Sequence, residues 1–233
     1  MSMSRPDWLG TQMPEITLVC SAHRENGLCN AEELLEILRV IEPEVIFEEL
    51  RPSEFDLYYR QGGVEAHAIT RYREYKLFQH VPVDRYETPK DPLGERREFD
   101  LVFDRVIQTS QEYRELSQNN DNDRVQQYGF KHLNSVAYAT MSARMSEIED
   151  ETINRAGDQR LIRGLERWRH FIQRRDFEMI DNIYEYSREN VFDTRVFLVG
   201  AAHKTGIVKE IEKYAGTEAD QINWNFAYDG QIP

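Results

Sequence analysis

Apolar positions along the chain follow two rhythms. Ile16-Thr17-Leu18-Val19-Cys20, Val45-Ile46-Phe47 and the stretch Arg195 to Val199 are short, nearly continuous apolar runs, the pattern of strands buried on both faces of a parallel sheet. Between the first two, Leu34, Leu35, Ile37, Leu38 and Ile41 recur at helical spacing. Asn30 with Glu33 three residues on is a helix-start signal, and Pro43 ends that helix. Residues 15–50 therefore have the length and order of one strand–helix–strand unit, whose right-handed crossover places both strands in one parallel sheet.

A further helix is expected over 64–78, then a short strand at Val81-Pro82-Val83-Asp84 and a loop over 86–98, where prolines, Gly94 and charges crowd together. Three helices follow at 99–118, 124–150 and 159–190, with the polar connector Asn119 to Asp123 after the first. A helix is expected from Gly206 to Tyr214. The alternation of Ile222, Trp224, Phe226 and Tyr228 with Gln221, Asn223, Asn225 and Ala227 predicts a half-exposed last strand. The expected architecture is a single α/β domain spanning 1–233. It has a mainly parallel central sheet flanked by helices and a helical insertion, about 86–194, between the third and fourth strands.

Charge and cysteine content narrow the function. A net charge of −13 and a pI near 5.0 argue against nucleic acid or an anionic membrane as a general partner. Residues 1–14 lack the basic start and apolar core of a signal peptide. No apolar run approaches the roughly 20 residues that span a bilayer, so a soluble, cytoplasmic protein is expected. Two cysteines, Cys20 and Cys29, form neither a disulfide framework nor a CxxC motif and are expected to be reduced.

The chemistry gathers at strand ends. The first and fourth apolar runs both pass through small residues into a histidine: Cys20-Ser21-Ala22-His23 and Gly200-Ala201-Ala202-His203. In open α/β sheets ligands bind at the carboxyl ends of strands, and two such turns point to one shared site. The second strand runs into Glu48-Glu49, which strand alternation sends to opposite faces, and the third ends in Asp84. On the long helix near 160–190 the apolar face of Leu161, Leu165, Trp168, Ile172, Met179 and Ile183 is interrupted by Arg175 and Asp176. Charges in a buried stripe need partners, so they either tie the helix to the sheet or reach the site. Two histidines and a carboxylate form a common set for zinc, manganese or iron. Gly200 to Gly206 lacks the spacing of a phosphate-binding loop, Cys20 reads as a small buried hydrophobe, and His67, His80, His132 and His170 receive no role.

In this order, the histidine turn ending at His23, Glu49-Leu50, Arg175-Asp176 with Met179, and Gly200-Ala201-Ala202-His203 with Gly206 resemble the TraB/PrgY/Tiki group, which is related to ChaN-like and erythromycin-esterase-like proteins. Cys20 stands where that group has glycine. The resemblance implies a hydrolase-like site built from His23, Glu49, Arg175 and His203. Tiki-type members are manganese- or cobalt-dependent peptidases, erythromycin-esterase relatives use histidine as a general base, PrgY-type members bind peptide signals and ChaN-like relatives bind haem. The leading expectation is a hydrolase of a small molecule or peptide. His23, Glu49 and His203 would bind a divalent metal (Mn, Co or Zn), Glu48 or Asp84 would take a proton, and Arg175 would steady negative charge. A metal-free hydrolase with a histidine base, and a binding protein without catalysis, are the alternatives.

Overall fold

The structure, a computed structural model, describes residues 15–86, 91–217 and 222–226. The expectations for residues 1–14, and for Gln221, Ala227 and Tyr228 of the last strand, lie outside the described residues.

Five parallel strands form one sheet: β1 (Glu15–Ser21), β2 (Val45–Glu48), β3 (Gln79–Pro82), β4 (Thr194–Gly200) and β5 (Asn223–Asn225), in the order β3-β2-β4-β1-β5. The most apolar runs take the centre, where both faces are covered: Ile16, Val19, Cys20, Val45, Ile46, Phe47, Val196, Phe197 and Val199 are fully buried. β4 comes back between β1 and β2. Its register, Ser21 beside Gly200 and Glu48 beside Leu198, brings the ends of those three strands to one edge of the sheet. β3 lies at the edge, where Pro82 leaves no ladder hydrogen bond unmade on a central strand. That strand begins and ends two residues before the expected one, so Val83 and Asp84 lie just past its end.

Local chemistry explains the helices. α1 (Ala31–Ile41) starts where the Asn30 side chain accepts the Glu33 amide at 3.0 Å, and stops at left-handed Glu42 before Pro43. α2 (Phe55–Gln61) was not expected, and α3 (Val64–Tyr75) ends three residues before its expected limit. The expected loop over 86–98 is helical from its midpoint. α4 (Pro92–Thr109) begins with Pro92 in its first turn and Asp91 accepting the Gly94 amide, so the proline and glycine mark a helix start there. Ser110 ends that helix and caps α5 (Gln111–Gln118). The polar connector is a π-helical turn over 119–125.

The expected helix over 124–150 is two, α6 (Gln126–Leu133) and α7 (Val136–Ala156), separated at Asn134-Ser135 and kinked at Gly129. Gly129 has φ 50°, and a Cβ there would meet the Leu28 carbonyl backbone. Asn134 also serves the sheet, because its side chain accepts the Cys20 amide at 2.9 Å and donates to the Cys20 carbonyl at 3.0 Å. β5 pairs only with residues 15–17 of β1, so Asn134 completes the strand edge that β5 leaves open.

α8 (Gln159–Glu189), about 46 Å long at the usual rise per residue, joins two apolar clusters. Leu161, Leu165 and Trp168 pack with Val102, Val106, Ile148 and Ile153, whereas Met179, Ile180, Ile183 and Tyr184 join the main core. Arg175 and Asp176 lie between those two apolar segments. A single 3-10 turn, Ala201–His203, then leads from β4 into α9 (Lys204–Glu212). Among the described residues no helix is long and apolar enough to cross a membrane.

Candidate functional site

Neighbouring strand ends bring the two histidine turns onto one carboxylate. The Glu49 amide donates to the Leu198 carbonyl, extending β2 one residue along β4, and Glu49 Oε2 then accepts the Gly200 amide at 2.7 Å. The same oxygen is 3.4 Å from His23 Nε2, and Oε1 is 3.2 Å from His203 Nε2. Each imidazole has a further carboxylate behind it: His23 Nδ1 is 2.9 Å from Glu65 Oε1, and His203 Nδ1 is 2.5 Å from Asp176 Oδ1. The result is a row of alternating signs, Glu65, His23, Glu49, His203, Asp176, lying across the sheet edge.

Arg175 closes the row from α8. It donates to Glu49 Oε1 at 2.6 Å and to Asp84 Oδ2 at 3.2 and 2.9 Å through Nε and Nη2, and its Nη1 is 3.4 Å from His203 Nε2. Of the two outcomes open for the buried-stripe charges, both hold: Arg175 ties α8 to the strand ends and sits in the site. Asp84 is consumed by Arg175 and by the Tyr86 amide, so it positions the arginine. The Glu48 carboxylate lies apart from the row, accepting from Tyr59 at 2.9 Å and from His80 Nε2 at 2.8 Å.

Protonation follows from these contacts. Burial works against charging His23, but hydrogen bonds to Glu49 and Glu65 outweigh it and raise the imidazole to about 10. Burial likewise opposes His203, and Asp176 and Glu49 raise it to about 9. Burial would raise Glu49, yet its two histidine partners hold it well below the usual carboxylate range. Near neutral pH both rings are imidazolium and Glu49 is ionised. Burial pushes the Cys20 thiol up to about 12, which removes it as a nucleophile.

The two glycines of the second turn are fixed by close approach. A Cβ on Gly200 would stand 2.6 Å from His23 Nε2 and 3.1 Å from Glu49 Oε2, and one on Gly206 would collide with the Asp176 carboxylate. His23 itself has φ 58°, a left-handed conformation that costs a side-chain-bearing residue about 1 kcal/mol and is held here by Glu65 and Glu49.

A cavity of about 210 Å³ opens on this edge, lined by His23, Glu48, Glu49, Tyr58, Glu65 and Leu198. His23 is the member of the row that meets solvent, with 46% of its side-chain surface exposed against 6% for His203. Glu65 and Tyr58 were not singled out from sequence. Glu65 lies four residues before Ile69 and seven before Tyr72, so the signal was the same as for Arg175: a charge in the buried stripe of a helix. It accepts from Tyr58 at 2.8 Å and from Ser21 Oγ.

The residues as placed do not fit a metal. Among the described residues no group of three histidine, cysteine or carboxylate side chains is arranged to hold an ion. The edge shared by Glu49 and His203, where a cation would lie, is already taken by the Arg175 guanidinium, and Glu49 Oε2 is tied to the Gly200 amide. Comparison with family models, with curated proteins and with solved structures returned no match for this chain. Fold and site together define a parallel-sheet α/β protein with a row of paired histidines and carboxylates at its strand ends.

Proposed function

We propose that the protein is a metal-independent hydrolase of a small ester or amide, with His23 as its general base. One observation carries this reading: His23 stands exposed in the cavity wall with Nδ1 tied to buried Glu65, leaving Nε2 to face the cavity and Glu49 across a long 3.4 Å contact. In the neutral form of the ring, which grows as pH rises toward about 10, the Nδ1 hydrogen is donated to Glu65 and Nε2 can take a proton from an attacking water. The imidazolium so formed is the state that Glu65 and Glu49 stabilise, as the aspartate does in a catalytic triad. His203, Asp176 and Arg175 hold Glu49 ionised and in place. The motif resemblance to the TraB/PrgY/Tiki group, whose erythromycin-esterase relatives use a histidine base, supports the same reaction class.

The test is hydrolysis of a panel of chromogenic esters and amides by wild-type protein, with and without EDTA, beside His23→Ala. Hydrolysis that survives EDTA and falls about 10²-fold or more in the variant is expected, the usual contribution of a general base. Hydrolysis that EDTA abolishes and Mn²⁺ restores, or that His23→Ala leaves intact, would overturn the proposal.

A further inference from the structure

Three carboxylates line the cavity, and two of them are spoken for. Glu49 is held by His23, His203, Arg175 and the Gly200 amide, and Glu65 by His23, Ser21 and Tyr58. Glu48 differs. Its side chain is only 4% exposed, and its hydrogen bonds from Tyr59 and from His80 both fall on Oε2. His80 is itself oriented: its Nδ1 accepts from Arg73 at 3.0 Å, which leaves Nε2 to carry the hydrogen given to Glu48. Oε1 receives no side-chain partner among the described residues. Glu48 is one of the residues that line the cavity. A buried, rigidly held carboxylate in a cavity wall, with its second oxygen unclaimed by a side chain among the described residues and a tyrosine, Tyr58, in the same wall, is the chemistry that receives a cation.

We infer that Glu48 Oε1 is the seat of a protonated amine, so that the substrate is a small ester or amide carrying an ammonium group a few bonds from its scissile carbonyl. Glu48 and His23 border one small cavity, which sets the short distance between the two groups. Tyr59 and His80 act as positioning residues for Glu48. The net charge of −13 favours approach of such a cation over that of a carboxylate. The inference names the substrate for the hydrolase reading and rests on it, but binding of the amine can be measured without turnover.

The probe is n-butylammonium chloride, with 1-butanol as its uncharged counterpart, each titrated into the full chain and followed by the ring signals of Tyr58 and His23 in NMR spectra. Saturable shifts with butylammonium, and binding of butanol weaker by about tenfold or more, are expected, the worth of one charge-assisted hydrogen bond. Glu48→Gln, with circular dichroism to verify its fold, is expected to lose about the same factor. Equal binding of the two probes by wild type would overturn the inference, and so would undiminished butylammonium binding by a folded Glu48→Gln. Should the variant fail to fold, the wild-type comparison decides alone. Butylammonium binding without hydrolysis of any ester or amide leaves the cation seat standing and removes the hydrolase reading. Hydrolysis indifferent to a nearby ammonium does the reverse.

Discussion

The two histidine turns share a sequence pattern and a carboxylate, yet they fold into different surroundings. His203 follows Gly200 through a 3-10 turn into α9, is almost fully buried, and has Asp176 pressed behind it against Gly206. His23 leaves β1 in a left-handed conformation, and its ring borders the cavity. The same residue at the same place on neighbouring strands thus meets two settings: one ring is buried against Glu49 and Asp176, and the other borders the cavity. Burial, more than the motif, separates the roles.

That contrast can be broken most sharply by truncating each ring. His23→Ala is expected to lower kcat/KM by about 10²-fold or more and to lower the urea unfolding midpoint by less than His203→Ala does, since water can enter the space that the half-exposed ring leaves beside Glu65 and Glu49. His203→Ala is expected to lose about 3–5 kcal/mol of stability in the same unfolding measurement, because Asp176 and Glu49 are left buried without their partner. If the two variants behave alike in either measurement, the division of roles is wrong.

Titration sharpens the comparison next. The folded-state value of His203, about 9, lies above its ordinary 6.5. Its contribution to stability is therefore fully present below 6.5 and is lost as pH rises through about 9, a change of the order of 3 kcal/mol. Glu49 runs the other way: depressed below its ordinary 4.5, it contributes above that value and its share is lost as pH falls. Urea unfolding compared at about pH 6 and about pH 10 should show the alkaline loss, to which His23 contributes as well, and His203→Gln should reduce it. The smallest expected effect concerns His23. Because its base form is populated only toward about 10, kcat/KM should climb with pH across the neutral range. Glu65→Gln should move that limb to lower pH; a limb unmoved by the variant would detach Glu65 from His23.

Much of this arrangement could be read from residues alone. Continuous apolar runs gave β1, β2 and β4, and the small residues before each histidine marked their carboxyl ends. Arg175 was legible because a charge at helical spacing among apolar neighbours has to find a partner. Glu65 obeyed the same rule on α3 and went unread, since Ala66 and Ala68 blur the stripe around it. The helix beginning at Pro92 was hidden by residues that serve loops and helix starts alike. The break at Asn134 depends on the open edge of β1, a tertiary demand that no local pattern carries. Which oxygen of Glu48 is taken depends on Tyr59 and His80 arriving from α2 and β3, and sequence spacing does not encode that meeting.

The most direct measurement is the titration of the two imidazole rings by their ring-nitrogen NMR signals, in wild type and in Glu49→Gln. A shared carboxylate predicts that both rings stay protonated well above the ordinary 6.5, His23 to about 10 and His203 to about 9, and that the single substitution lowers both together. Rings that titrate near 6.5, or a substitution at Glu49 that moves one ring and not the other, would contradict a site built around that carboxylate.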